Sequence, residues 1–226
     1  IHIENLTATG DGSSGHIFSI NNSVFSLKNL SLSNAGEHGI WIGNSTGEFD
    51  NLTSSNNNQA GISASQSRIE MRDSVISGNE DDGIELYQAS SLELRSSTIS
   101  SNSDEGIEVG GNSYIKVRDS SISNNDDSAI KIDEGSVLDV KDSTITGKSG
   151  ENAIAGYRKS VMILNEDDGT TLISTTNYDA IVLINSHGEI RSGVTVSSNT
   201  KGIHLDTESS IKIEDGATVN GSTNGG

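Results

Sequence analysis

Cysteine and proline are absent from the 226-residue chain, and aromatic residues make up only 4% of it. Without cysteine there is no disulfide framework and no thiolate metal site, so cysteine usage says nothing about the redox compartment. Basic residues are also scarce, with 14 Lys and Arg against 32 Asp and Glu, which gives a formal net charge of −18. Such an acidic chain argues against nucleic acid and anionic membranes as partners. No apolar run approaches the roughly 20 residues needed to span a bilayer, so we expect no membrane insertion by this segment.

Apolar residues are few as well, at 31% of the chain, whereas globular domains average roughly 45–50% by a count that includes Gly. This content fits either a disordered chain or an elongated fold with a thin core. A repeat decides between them, because a Gly-Ile or Ala-Ile dipeptide recurs through about nine units of 22 to 27 residues. Its positions are Gly39-Ile40, Gly61-Ile62, Gly83-Ile84, Gly106-Ile107, Ala129-Ile130, Ala153-Ile154, Ala180-Ile181 and Gly202-Ile203. Disorder does not keep such a register, so we predict the elongated fold.

Within each unit, apolar and polar residues alternate with the period of a β-strand. In one unit the first strand reads Ile107-x-Val109, the second Ile115-x-Val117, and the third carries Ile122. Turn-forming Ser, Asn, Asp and Gly lie between the strands. Three short strands and three turns in about 23 residues describe one rung of a parallel β-helix. The pattern predicts an all-β solenoid of about nine rungs with three short strands per rung.

The repeat units also resemble a known family. The segments "DSVISGNEDDGIEL", "STISSNSDEGIEV" and "SSISNNDDSAIKI" resemble right-handed parallel β-helix repeats of the pectate-lyase-like superfamily, and adhesin and autotransporter passenger domains above all. The resemblance implies a single-stranded right-handed parallel β-helix and an extracellular or cell-surface location. Because the chain starts in mid-pattern, we expect residues 1–226 to form one β-helix domain, a segment of a longer secreted or surface protein. Flanking domains or oligomer contacts would then cap its open ends.

The repeat assigns other residues to stacked columns. We expect an asparagine ladder in one turn, a serine ladder beside it and a buried Ile107 in the middle of the stack. Ser113 is assigned to a turn, and we expect its replacement to change little. The ladders are formed by Asn79, Asn102 and Asn125, and by Ser74, Ser97, Ser120 and Ser143.

The first strands are expected to carry three columns of side chains on their outer surface, which we call the first-strand face. One column follows the Ile of each dipeptide, a second lies two residues further on, and a third precedes the Gly or Ala. The members that bear on function are Phe18, Trp41, Glu85, Glu108 and Lys131 in the first column, Tyr87 and Tyr157 in the second, and His38, Asp82 and Glu105 in the third. The pattern predicts that Asp82 and Glu85 lie one rung from Glu105 and Glu108.

Three interpretations of these acids remain open. They are a solvated acidic face, a weak Ca²⁺ site with oxygen ligands, or a catalytic carboxylate pair. The Ca²⁺ ligands would come from turns with no Lys or Arg to balance them, and no cofactor is otherwise required. The Ca²⁺ candidates are Asp81, Asp82, Asp104, Glu105, Asp126 and Asp127, and the catalytic candidates are Asp82, Glu85, Glu105, Glu108 and Lys131.

Blocks typical of the enzymes in this superfamily are missing. A site like that of alginate epimerases would show Asp-Pro-His-Glu, and the chain has no Pro. A pectate-lyase-like site needs an Arg base beside calcium-binding acids, and the first-strand face offers Lys131 but no Arg. These departures from the family pattern favour a function without catalysis.

Several residues are candidates for carbohydrate binding. Phe18 and Trp41 would form a sugar-stacking platform on adjacent rungs, with Tyr87 further along the face. Tyr157 and Arg158 open the longest interval between dipeptides, which also contains an acidic turn at residues 165–169. A stripe of Arg72, Arg95, Arg118 and Lys141 at the end of the second strands either grips an acidic polysaccharide or forms an ion-pair ladder with neighbouring acids.

The first functional hypothesis is an extracellular domain of a surface adhesin or passenger-type protein. It would bind extracellular or cell-surface carbohydrate, or project other modules, without catalysis. The alternative is a polysaccharide lyase, glycoside hydrolase or epimerase acting on the first-strand face. A purely architectural rod would have no site at all.

Overall fold

The computed structural model describes residues 1–165 and 170–222, in which 26 β-strands follow one another without a helix. No membrane-spanning helix is therefore present in these residues. Strands of successive rungs pair in parallel register, for example Ile84–Tyr87 with Ile107–Val109 and Ser91–Arg95 with Tyr114–Arg118. The prediction of a parallel β-solenoid of about nine turns is confirmed.

The first strands form one nine-stranded sheet. They are β2 (Phe18–Asn21), β4 (Ile40–Gly43), β6 (Ile62–Ser65), β9 (Ile84–Tyr87), β12 (Ile107–Val109), β15 (Ile130–Ile132), β18 (Ile154–Tyr157), β21 (Ile181–Ile184) and β24 (Ile203–Asp206).

The second and third strands form a seventeen-stranded sheet, because in the first rungs one long strand runs through both segments. The long strands are β1 (His2–Thr9), β3 (Val24–Ser33) and β5 (Thr46–Ser55). The second strands are β7 (Arg68–Arg72), β10 (Ser91–Arg95), β13 (Tyr114–Arg118), β16 (Val137–Lys141), β19 (Val161–Asn165), β22 (His187–Ile190) and β25 (Ser210–Ile213). The third strands are β8 (Val75–Ser77), β11 (Thr98–Ser100), β14 (Ser121–Ser123), β17 (Thr144–Thr146), β20 (Leu172–Thr175), β23 (Thr195–Ser198) and β26 (Thr218–Asn220).

The core consists of stacked aliphatic columns. Ile84, Ile107 and Ile130 face one another through adjacent first strands, and each is fully buried. The expectation for Ile107 is therefore confirmed. The glycine before each of the first two isoleucines is required by close approach, since a Cβ at Gly83 would lie 2.5 Å from the carbonyl oxygen of Gly106.

Buried polar ladders connect the rungs beside this core. Each asparagine amide donates to the side-chain oxygen of the next, at 2.8 Å from Asn79 to Asn102 and 2.9 Å from Asn102 to Asn125. The backbone N–H of Ser74 donates to the Ser97 hydroxyl oxygen at 3.1 Å, and Ser97 repeats the contact with Ser120 at 3.1 Å. Both predicted ladders are confirmed, and they satisfy buried backbone donors between rungs.

Ser113 belongs to a second serine ladder. Its hydroxyl oxygen accepts the N–H of Ser90 at 3.1 Å, its own N–H donates to Ser136, and only 1% of the residue is exposed. The prediction that Ser113 lies in a tolerant turn is therefore wrong, because its replacement removes an acceptor for a buried N–H.

The register of the first rung also differs from the prediction. Phe18 pairs with Ile40 and Ile20 with Ile42, so Ser19 is the neighbour of Trp41. Phe18 packs against the core and Ile20 is buried within it. Because strand side chains alternate with a period of two, a shift of one residue moved Phe18 from the outer face to the inner one.

Candidate functional site

The centre of the first-strand face carries three charged side chains in register. Glu85 on β9, Glu108 on β12 and Lys131 on β15 pair directly across neighbouring strands. Asp82 and Glu105 precede the same strands, and Asp82 Oδ1 accepts the N–H of Glu105 at 2.9 Å. The predicted stacking of these residues is confirmed.

Lys131 forms ion pairs with two of these acids. Its Nζ lies 2.8 Å from Glu105 Oε1 and 2.8 Å from Glu108 Oε1. The hydroxyl of Tyr87 donates to the other oxygen of Glu108. Burial alone lowers the pKa of Lys131, but its bonds to the two carboxylates outweigh that effect and raise the pKa above its usual value. We call Tyr87, Glu105, Glu108 and Lys131 the central array.

The acids of this face are not solvated. Asp82 and Glu105 are each 3% exposed, and Glu85 is 9% exposed. Burial, followed by the charge of Glu105, raises the pKa of Asp82, and burial raises the pKa of Glu85 to about 7. The interpretation as a solvated acidic face is therefore wrong for these residues. Strongly shifted acids of this kind cluster at functional sites more often than elsewhere.

Two groups of carboxylates could hold a hard cation. In each group, one oxygen per residue lies within 4.8 Å of the others. Burial raises the pKa of Asp104, which both groups share, to about 6. The groups are Asp81, Asp82 and Asp104, and Asp104, Glu105 and Asp127.

Asp126 lies outside both groups. Lys148 of the following rung binds its carboxylate at 2.6 Å, and Lys131 neutralises part of the charge at Glu105. These turns contain no Lys or Arg, as predicted, but Lys148 and Lys131 from neighbouring rungs supply basic partners, so the expectation that nothing balances the acids is wrong. Lys148 was missed because the rung that contains it has one extra residue before its Ala-Ile dipeptide.

Trp41 stacks with histidines instead of with Phe18. The rings of His16 and His38 are 5.3 Å apart and those of His16 and Trp41 are 6.3 Å apart, each pair within 16° of parallel. Burial, followed by the charge of His16, lowers the pKa of His38. The sequence would have indicated this stack had the first rung been aligned correctly, because His16 then falls in the column of His38.

The long interval contributes a half-buried Tyr157 and an exposed Arg158. Arg158 is engaged by Asp133 of the preceding rung, with 2.5 Å between Nε and Oδ1. Of its acidic turn, residues 166–169 lie outside the described residues. Tyr157 is thus the freer of the two predicted ligand contacts.

The pKa shifts predict an unusual pH dependence of stability. A carboxyl whose pKa is raised by folding contributes stability that is complete below its unfolded pKa and is lost as pH rises through the folded value. For Glu85 that window runs from about 4.5 to about 7. We expect the unfolding free energy to fall from pH 5 to pH 8, with Glu85 contributing on the order of 2–3 kcal/mol. The raised pKa values of Asp82 and Asp104 act in the same direction, and the lowered pKa of His38 opposes them below about pH 6.5.

Denaturant unfolding at several pH values measures this dependence. Glu85→Gln removes the titrating group, and its curve should be flatter between pH 5 and pH 8. Wild-type stability that rises over this range would contradict the shifts.

Comparison with known proteins agrees with the fold. A family model, the right handed beta helix region, matches residues 15–172. No curated protein matches the sequence. Among solved structures, the Azotobacter vinelandii mannuronan C-5 epimerase AlgE4 A-module aligns with a TM-score of 0.56 and 12% identity, covering 96% of this chain and 73% of that one.

Two further structures are similar to a comparable degree. A mutant of the periplasmic alginate epimerase AlgG aligns with a TM-score of 0.62 and 13% identity, over 88% of this chain and 50% of that one. The pectate lyase Pel9A aligns with a TM-score of 0.55 and 13% identity, over 97% of this chain and 68% of that one. At such identities the similarity concerns the fold alone, and the family match covers more than half of the chain. The chain belongs to the right-handed β-helix family.

Proposed function

We propose that this domain binds an uncharged, hydroxyl-rich polysaccharide along its first-strand face, in an extracellular or cell-surface protein, and does not catalyse a reaction on it. The observation that carries the proposal is the central array, in which Lys131 and Tyr87 hold the carboxylate of Glu108 in place. Carboxylates fixed in this way accept charge-assisted hydrogen bonds from sugar hydroxyls without further ordering.

Aromatic rings lie on both sides of the central array. Trp41 is on β4, Tyr87 on β9 and Tyr157 on β18, two and three strands apart in the sheet. At roughly 4.8 Å per strand these steps are about 10 and about 14 Å. An extended glycan lying parallel to the solenoid axis would meet an aromatic contact every few sugar units. The proteins of similar structure are a mannuronan C-5 epimerase, an alginate epimerase and a pectate lyase, which supports a polysaccharide as the ligand class.

The engagement of the acids supports binding over catalysis. Glu105 and Glu108 share Lys131, Tyr87 donates to Glu108, and Asp82 is 3% exposed. A general acid or base must reach the proton that it transfers. Asp82 and Glu105 are covered, whereas Glu108, with 20% of its side chain exposed, keeps lone pairs for hydroxyl hydrogen bonds while Lys131 and Tyr87 share its charge.

Binding of neutral oligosaccharides, measured by calorimetry or affinity electrophoresis, tests the proposal. Trp41→Ala and Tyr157→Ala should each weaken binding by roughly threefold to tenfold, since an aromatic contact contributes about 0.5–1.5 kcal/mol. His187→Ala, at an exposed position of β22 in the second-strand sheet, is the matched control and should bind as wild type does. Equal affinities for all four proteins would remove the first-strand face as the site.

A polysaccharide lyase, hydrolase or epimerase is the second candidate, favoured by one observation. Glu85 has a pKa of about 7 and pairs with Glu108 beside Tyr87, a value suited to proton transfer near neutral pH. Incubation with uronate and neutral polysaccharides, with and without Ca²⁺, decides between the candidates. Unsaturated products or new reducing ends that disappear in Glu108→Gln would replace the binding proposal with this one.

We also propose weak Ca²⁺ binding at the two carboxylate groups centred on Asp104. A cation bound only by the folded state stabilises it by about 2.7 kcal/mol at a hundredfold excess over the dissociation constant. We expect millimolar Ca²⁺ to raise the melting temperature modestly relative to EDTA, and Asp82→Asn/Glu105→Gln to abolish the difference. Melting curves that coincide in both conditions would show that no cation is held.

A further inference from the structure

The predicted arginine stripe is neutralised in the structure. Arg72 pairs with Asp50 at 2.8 Å, Arg118 pairs with Asp139 at 2.6 Å, and Arg95 is bound by Glu93. Lys141, the last member, also has an interaction. The ion-pair interpretation of the stripe is therefore supported, and these guanidinium groups are not free to grip an acidic ligand.

Two other cations on the same sheet have no such partner. Neither Arg68 on β7 nor Lys116 on β13 forms an ion pair with any residue in the described part of the chain. The ammonium of Lys116 instead lies 5.8 Å from the centre of the Tyr114 ring. Lys28 and Lys159 also lack an ion pair in the described residues, so what distinguishes Arg68 and Lys116 is that they line the same cavity.

Both cations line one cavity of about 200 Å³ on the outer surface of the second-strand sheet. Its polar lining also includes Ser91, Tyr114, Glu70 and Glu93, the last of which is paired with Arg95. Two further cavities, of about 100 and 220 Å³, are both lined by Glu48 and Glu70. Glu70 also lines the first cavity, so the three cavities adjoin one another and extend toward β5 and β3. Together they form a continuous groove across the outer surface of β3, β5, β7, β10 and β13, which we call the second-strand groove.

The sizes of neighbouring side chains explain the cavity that Arg68 and Lys116 line. Arg68, Ser91 and Tyr114 are direct neighbours in one column across β7, β10 and β13. The short serine leaves a notch between two long side chains whose strands are about 10 Å apart, two inter-strand spacings of roughly 4.8 Å. A sugar ring has the size to enter such a notch.

We propose that the second-strand groove binds an anionic sugar unit, with its carboxylate or sulfate at Arg68 and Lys116 and its ring against Tyr114. Arg68 offers the planar donor set that matches both anions. Glu70, which has no cationic partner in the described residues, accepts hydrogen bonds from ring hydroxyls. This site is independent of the first-strand face, where the excess of buried carboxylates disfavours an anionic ligand.

Calorimetric titration with three oligosaccharides of similar length tests the proposal, one uronate, one sulfated and one neutral. At low salt we expect the wild type to bind one or both anionic oligomers more tightly than the neutral one at this site. Arg68→Ala/Lys116→Ala should weaken that binding by at least about tenfold, whichever anion is preferred. The anionic oligomer that binds more tightly, uronate or sulfated, identifies the anionic group that the site recognises.

Control variants distinguish a specific binding site from nonspecific attraction of anions to positive charge. Lys159→Ala/Lys201→Ala removes the same charge outside the groove strands and should leave anionic binding within about twofold of wild type. Trp41→Ala should also leave it unchanged, which distinguishes this site from the first-strand face. Failure to bind either anion, or equal weakening by both double variants, would overturn the proposal, and melting curves would establish that every variant is folded.

Discussion

Ile107→Ala is expected to lower the free energy of unfolding by about 2–5 kcal/mol. Ile107 is fully buried and lies between Ile84 and Ile130 in the central column. Its truncation removes apolar contacts and leaves a cavity that the rigid strands above and below cannot fill. A thin core has few other contacts to offset the loss. Denaturant unfolding monitored by circular dichroism measures the effect.

Thr98→Ala provides the control. Thr98 is an exposed residue of β11, and replacement of such surface residues changes stability by no more than about 0.5 kcal/mol. Ser113→Ala should lie between the two, near 1 kcal/mol, because it leaves the N–H of Ser90 without its acceptor. An Ile107→Ala variant as stable as Thr98→Ala would mean that the register of the rungs is misassigned.

The fold could be predicted because every rung repeats the same rule. Alternating apolar residues such as Ile107 and Val109 determine which side of the strand faces the core. Because the pattern recurs in about nine rungs, the register is defined even where a single rung would allow two assignments. The first rung was misassigned because Ile17 lies in the register of the isoleucine series, although Ser19 follows it in place of a second apolar residue. Phe18-x-Ile20 is the only alternating apolar pair in "HIFSI", and its pairing with Ile40 and Ile42 shows that this alternation determines the register.

The candidate site could be predicted only in part. Repetition placed Glu85 next to Glu108 and Lys131, since these residues hold equivalent positions in adjacent rungs. It could not indicate that Asp82 and Glu105 are buried, because both residues lie in turns, where the inside–outside alternation of a strand does not apply. The exposure of a turn residue depends on the turns of the rungs above and below it. The free cations were missed for a related reason. Arg68 and Lys116 differ in column, and only the short Ser91 brings them to one cavity.

Lys131→Met should destabilise the domain by about 2–4 kcal/mol at pH 8. Removal of one partner from a buried ion pair costs about 3–5 kcal/mol, and we reduce this range because the Lys131 side chain is 29% exposed. Methionine preserves most of the side-chain volume, so the loss reports on charge. Glu105, with 5% of its side chain exposed, would lose its ammonium partner beside Asp82 and Glu108.

The pH dependence of the Lys131→Met stability loss shows whether the lost charge or altered packing causes it. At pH 5 Asp82 and Glu85, whose pKa values burial raises, are protonated, so less negative charge remains around the site of the lost ammonium. The difference from wild type should therefore shrink, whereas a packing defect would persist. Lys116→Met is the matched control, because Lys116 has no ion pair among the described residues and its loss should cost no more than about 0.5 kcal/mol. Lys131→Arg should recover part of the stability at pH 8. Unfolding curves for these variants at pH 5 and pH 8 provide the measurement, and a Lys131→Met variant equal to Lys116→Met at pH 8 would show that Lys131 does not hold the array together.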